Sequence, residues 1–187
     1  MTFHGQKILP AVRGMKDFEV LAKSNYRYIV LLDTHVGQLR GIMKFARSHG
    51  QKILLHADLV QGLKTDEYAA QFLCQEIRPD GLISTRTNVV ATARKKGLIG
   101  IQRLFLLDSI ALETSYKLFK RSEPDYIEVL PGVMPHIIRE VKEATGIPVF
   151  AGGLIRSAED VDAALAAGAE AVTTSRKELW KYEKSSV

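Results

Sequence analysis

Eight short apolar runs rich in β-branched residues recur along the chain, at 8–12, 28–32, 53–55, 81–83, 99–101, 126–130, 148–150 and 169–173. Each is too short for a helix and apolar on both faces, so each reads as a fully buried strand of the kind parallel sheets use. Helical patterns fill the gaps, at 17–23, 36–48, 66–77, 89–96, 109–120, 135–144 and 158–166, and glycines at 50, 97, 146 and 168 stand where helices stop. Successive strands begin 19 to 28 residues apart, about one strand-helix unit each.

Eight such units predict an α/β chain folded as one compact (β/α)8 TIM barrel over residues 1–187. The length lies just under the roughly 200 residues usual for that fold, so the loops must be short. An open doubly wound sheet is the alternative. The stretch after the first strand, Pro10-Ala11-Val12-Arg13-Gly14-Met15, holds one glycine and lacks the Gly-x-Gly-x-x-Gly of dinucleotide-binding sheets.

With 46% apolar and 25% charged residues, the composition is that of a globular protein with a substantial core. The single cysteine, Cys74, forms no internal disulfide and fits a reducing compartment. No apolar segment has the length of a signal peptide core or a membrane span, so a cytoplasmic protein without membrane contact is expected.

Barrels of this class build their sites at the C-terminal ends of the strands. Those positions form a polar ring here: Arg13, Asp33, His56, Asp58, Ser84, Thr85, Arg86, Asp108, Glu128, Gly152, Gly153, Thr173, Thr174 and Ser175. Gly152-Gly153 after the seventh strand and Thr174-Ser175 after the eighth suit a phosphate, because close backbone amides, hydroxyls and a helix N-terminus all favour an anion. The same residues also suit a tight turn with locally satisfied hydroxyls.

His56 and Asp58, two apart, project to one side of the third strand's end. With Asp33, Asp108 and Glu128 they can meet the hydroxyls of a polyol or a divalent cation, or simply hydrogen-bond locally. No metal site, organic cofactor or catalytic residue is expected. A Schiff-base lysine is missing from the strand ends, although His56 with a carboxylate leaves open a phosphotriose- or phosphopolyol-acting enzyme. A metal-dependent phosphodiesterase is a third reading.

The segments ILPAVR at 8–13, HADLVQGL at 56–63, DGLISTR at 80–86, QRLFLLDS at 102–109, DYIEVLPG at 125–132, AGGLI at 151–155 and VTTS at 172–175, with Leu179-Trp180, run nearly end to end. In this order and spacing they resemble the glycerol-3-phosphate-responsive antiterminators of glycerol uptake operons. The resemblance implies a non-enzymatic regulator on a barrel, which senses glycerol 3-phosphate, binds the leader of a glycerol-utilisation messenger RNA and prevents premature termination. Gly152, Gly153, Thr174 and Ser175 then serve the phosphate, and Asp33, His56, Asp58 and Glu128 the glycerol hydroxyls.

The net charge of +5 is unevenly spread: residues 34–57 and 81–107 lack Asp and Glu and together hold +9, against −4 for the rest. Arg40, Lys44 and Arg47 share one helix face, and Arg94, Lys95 and Lys96 end another helix. These are the candidate RNA contacts, although cations at helix C-termini also complement the helix dipole. Arg176, Lys177, Lys181 and Lys184, beside Trp180 and Tyr182, form a second candidate surface. Apolar positions on the outer helices are compatible with a homodimer.

Overall fold

In the computed structural model, which describes residues 3, 5–106 and 109–182, eight parallel strands close into a barrel. They are β1 (Ile8–Val12), β2 (Tyr28–Leu31), β3 (Lys52–His56), β4 (Gly81–Ser84), β5 (Ile99–Phe105), β6 (Tyr126–Leu130), β7 (Val149–Gly152) and β8 (Ala171–Thr174). Each pairs with its neighbours in chain order, and β8 closes on β1 with Ile8 opposite Val172. Outside them lie α1 (Met15–Ala22), α2 (Leu39–Ser48), α3 (Glu67–Phe72), α4 (Thr87–Lys95), α5 (Ser109–Ser122), α6 (Pro135–Thr145) and α7 (Ala158–Ala166). Asp108 and Lys184, both part of the sequence reading, lie outside the described residues.

The expected barrel is therefore observed, with three local differences. Among its described residues the eighth unit carries a 3-10 turn at Lys177–Lys181 in place of an α-helix. A π turn (Leu73–Ile77) extends α3 and ends at Arg78, which takes a left-handed φ of 55° ahead of Pro79. Two-residue strands at Thr34–His35 and Val60–Gln61 form a small parallel ribbon over the loops after β2 and β3, too short to leave a periodic trace in sequence. The glycine stops hold: Gly146, for example, ends α6 at a φ of 66°.

Side chains alternate across each strand, so one set fills the barrel and the other meets the helices. Leu9, Tyr28, Val30, Leu54, Ile83, Ile101, Tyr126, Phe150 and Ala171 form the interior cluster. Ile29, Leu31, Ile53, Leu55 and Leu82 pack outward with α2 and α4 residues, whereas Ile127, Val129, Val149 and Val172 pack outward with α6 and α7 residues. Strands apolar on both faces are what this double burial requires.

Phe3 closes the end of the barrel where the strands begin. Its ring lies edge-on to Tyr28, Tyr126 and Phe150 at 4.4, 4.9 and 5.0 Å between centroids, and Tyr126 stacks on Phe150. The substitution Phe3→Ala should cost about 3–5 kcal/mol, seen as a lower urea midpoint with the transition slope unchanged.

Candidate functional site

The parity that packs the interior also dictates what stands at its mouth. Two residues beyond the last apolar inward position come Arg13 on β1, Leu32 on β2, His56 on β3, Arg103 on β5, Glu128 on β6, Gly152 on β7 and Thr173 on β8. All of these except Gly152 line one cavity of about 360 Å³ at the C-terminal ends of the strands. The loops after β7 and β8 complete it with Gly153, Leu154, Ile155, Arg156, Thr174, Ser175 and Arg176.

A buried network crosses the floor. Arg103 Nε lies 3.3 Å from Glu128 Oε2, an ion pair whose angle is too poor for a hydrogen bond and leaves both atoms buried without one. Arg103 Nη1 donates to His56 Nε2, and Thr173 Oγ1 donates to Glu128 Oε1 at 2.5 Å. A guanidinium only donates, so His56 is neutral here and its proton sits on Nδ1. Burial first, and the neighbouring Arg103 charge second, push the His56 pKa down to about 4, against a smaller opposing pull from Asp58.

Gly152 does not line the cavity but makes the network possible. A methyl group at this position would stand 2.5 Å from Thr173 Oγ1 and 2.8 Å from Glu128 Oε1, a distance at which one of them must move. Gly153 and Leu154 follow with φ of 74° and 60°, and carry the chain over the rim. The helix end expected to assist an anion here is already occupied: Ser157 caps α7, and the Asp160 carboxylate accepts from the amides of Arg156 and Ser157 at 2.7 and 3.1 Å. Positive charge therefore comes from side chains. Arg13, Arg103, Arg156 and Arg176 face the cavity against one carboxylate, Glu128.

The structure brings together His56, Glu128, Gly153, Thr174 and Ser175 from the sequence-derived set, with Gly152 directly behind them. Asp33 and Asp58 stand apart. Asp33, at a φ of 40°, turns to accept from Gln61 Nε2 at 2.9 Å, and Asp58 accepts from Ser84 Oγ and from the amide and hydroxyl of Thr85 at 2.7 and 2.8 Å. Among the described residues no three His, Cys, Asp or Glu side chains converge as metal ligands. The sequence reading missed Arg103, Arg156 and Arg176 as site residues. Counting alternate positions upward from Ile99 and Ile101 finds Arg103; Arg156 and Arg176 lie just past the glycine pair and the hydroxyl run.

The six candidate RNA contacts are spread over α2 and α4. Arg40 pairs with Glu76 at 3.2 Å, Arg47 donates to the carbonyl of Arg78 at 2.6 Å, and Arg94 pairs with Asp125 at 3.1 Å. Lys44, Lys95 and Lys96 are exposed.

A family model described as "Glycerol-3-phosphate responsive antiterminator" matches residues 8–180. The uncharacterized protein YgcP of Escherichia coli is 33% identical over 177 residues, which cover 95% of this chain and 93% of that protein. The crystal structure of a glycerol uptake operon antiterminator regulatory protein from Listeria monocytogenes superposes with a TM-score of 0.92 at 47% identity, over 95% of this chain and 96% of that one. A glycerol uptake operon antiterminator-related protein from Thermotoga maritima superposes with a TM-score of 0.83 at 28% identity, over 95% and 99% of the two chains.

The depressed His56 pKa gives a stability test. The unfolded chain takes up a proton near pH 6.5 and the folded chain only near 4, so the unfolded state binds more protons between these values and stability falls as pH drops through them. His56→Gln should lose less stability than the parent between pH 7 and pH 4.5 in urea unfolding, by roughly 1–3 kcal/mol.

Proposed function

This chain belongs to the glycerol-3-phosphate responsive antiterminator family, and we propose that it binds glycerol 3-phosphate in the barrel-mouth cavity and, so loaded, binds the leader of a glycerol-utilisation messenger RNA in the cytoplasm. The observation that carries this reading is the charge of the cavity, four arginines to one carboxylate in a space of about 360 Å³. Such a cavity favours a small phosphate dianion over a neutral polyol, because guanidinium groups match phosphate oxygens in pairs and are weakly hydrated.

In this reading Arg156 and Arg176, with the backbone at Gly153 and Ser175 and the Thr174 hydroxyl, take the phosphate. Glu128 and Thr173 on the floor meet the glycerol hydroxyls, and His56 holds Arg103 in place. Asp33 and Asp58, which keep partners outside the cavity, drop out of the ligand set. The cavity favours recognition over turnover. His56 Nε2 is occupied by Arg103 and its Nδ1 is buried, so the imidazole has no free basic nitrogen toward a ligand. Among the described lining residues there is no lysine to form a Schiff base.

Calorimetric titration checks the ligand. Glycerol 3-phosphate should bind the parent chain, glycerol should not compete, and Arg156→Ala and Arg176→Ala should each weaken binding roughly tenfold or more. Leader-transcript affinity should rise when glycerol 3-phosphate is added, and linkage requires RNA to tighten the ligand by the same factor. Equal transcript affinity with and without the ligand would refute the regulatory reading.

A further inference from the structure

The second large concavity lies at the opposite end of the barrel, where β1 and β2 begin. It measures about 730 Å³ and presents three half-buried aromatic rings, Tyr26, Trp180 and Tyr182, beside three exposed cations, Lys7, Arg27 and Lys181. Among the described residues no carboxylate lines it and none of the three cations is in an ion pair. Asp162, outside the lining, accepts from the Tyr182 hydroxyl at 2.5 Å.

The rings are fixed by their polar tips. Tyr26 Oη donates to the Trp180 carbonyl at 2.6 Å and Trp180 Nε1 to the Thr174 carbonyl at 3.0 Å. The floor is fixed as well, since the Gln6 side chain bonds the backbone of Ile8, Arg27 and Tyr28 and so joins β1 to β2. Held rings next to exposed cations are what single-stranded nucleic acid binding uses: bases stack on the rings while phosphates meet the cations.

We propose that this groove is the single-stranded RNA site, an inference that rests on the antiterminator reading and assigns its RNA-contacting surface. The ligand reaches it through the chain itself. Thr174 and Arg176 line the cavity, the 3-10 turn at Lys177–Lys181 follows at once, and Trp180 returns a hydrogen bond to Thr174 from the groove. A phosphate that draws Ser175 and Arg176 inward moves Trp180 without any change in the barrel. The two sites share no lining residue, so ligand and RNA bind together.

Trp180 is the chain's single tryptophan, which makes the test direct. A leader transcript is titrated against the full chain with saturating glycerol 3-phosphate, following both filter retention and Trp180 emission. The parent should bind with quenching. Lys7→Glu/Lys181→Glu should weaken binding roughly tenfold or more and flatten the salt dependence. The control Lys95→Glu/Lys96→Glu, with the same change in net charge elsewhere on the surface, should lose no more than about threefold by the same reasoning. Both pairs are exposed residues outside the ligand cavity, so glycerol 3-phosphate affinity without RNA should match the parent's. A parent chain that binds no transcript overturns the antiterminator reading and this inference with it. A parent that binds without quenching of Trp180, or equal losses in the two double variants, overturns the groove alone.

Discussion

The ion pair between Arg103 and Glu128 is the interaction around which the rest of the site is arranged. Removing two charges from water at a barrel mouth costs several kcal/mol per ion unless each is compensated by near neighbours. Compensation comes from three further strands. Arg103 on β5 gives one proton to His56 on β3, Glu128 on β6 accepts one from Thr173 on β8, and β7 contributes a glycine whose missing side chain leaves room for both. The neutrality of His56 follows from the same demand, because a second cation against Arg103 would add repulsion where an acceptor is needed. The pair is still incompletely satisfied: Arg103 Nε and Glu128 Oε2 face each other without a well-angled hydrogen bond. Buried groups in that condition are ready to exchange partners when a polar ligand arrives.

The proposed anion site takes its charge from side chains. Phosphate-binding barrels often use a helix N-terminus after the seventh or eighth strand. Here the first turn of α7 carries Glu159 and Asp160, the Asp160 carboxylate takes the amides of Arg156 and Ser157 and the Ser157 hydroxyl takes that of Asp160, while β8 leads into a 3-10 turn too short to have a useful dipole. Arg156 and Arg176, placed immediately before those two segments, supply the charge instead. A guanidinium can rotate toward a ligand and away again, whereas a helix end cannot, which suits the proposed gating by glycerol 3-phosphate.

Much of this architecture is written in local pattern. Apolar strands, their spacing and the glycine stops identify the barrel, because parallel strands buried on both faces leave a strong periodic signal. The polar ring at the strand ends marks the site in outline, but inside it the inward parity of each strand decides membership. Asp33 and Asp58 stand at strand ends without being inward, and the loop ribbon and the β4 end draw them away. Arg103 is inward and belongs to the floor, yet in sequence it lies within an acid-free basic stretch that reads as a surface for RNA. The opposite groove is legible only on its C-terminal side, where Trp180, Lys181 and Tyr182 stand together in sequence; Lys7, Tyr26 and Arg27 come from two other segments that only barrel closure brings to them.

The 3-10 turn after β8 runs from the mouth cavity to the groove at the opposite end. A closed parallel barrel is a poor conductor of small displacements along its axis, because its close-packed interior and continuous hydrogen bonds resist shear between strands. An eighth helix packed like the other seven would share that rigidity. A 3-10 turn is held by a short set of contacts instead: it buries Leu179, packs Trp180 against the core, and is tied by the bonds of Lys177 to Asp17, Tyr26 to the Trp180 carbonyl, Tyr182 to Asp162 and Trp180 to Thr174. In the proposed coupling, a ligand need supply only the free-energy difference between two placements of this segment to shift their populations. The segment begins one residue after Arg176 at the mouth cavity and ends among the aromatic rings of the groove, so it touches both.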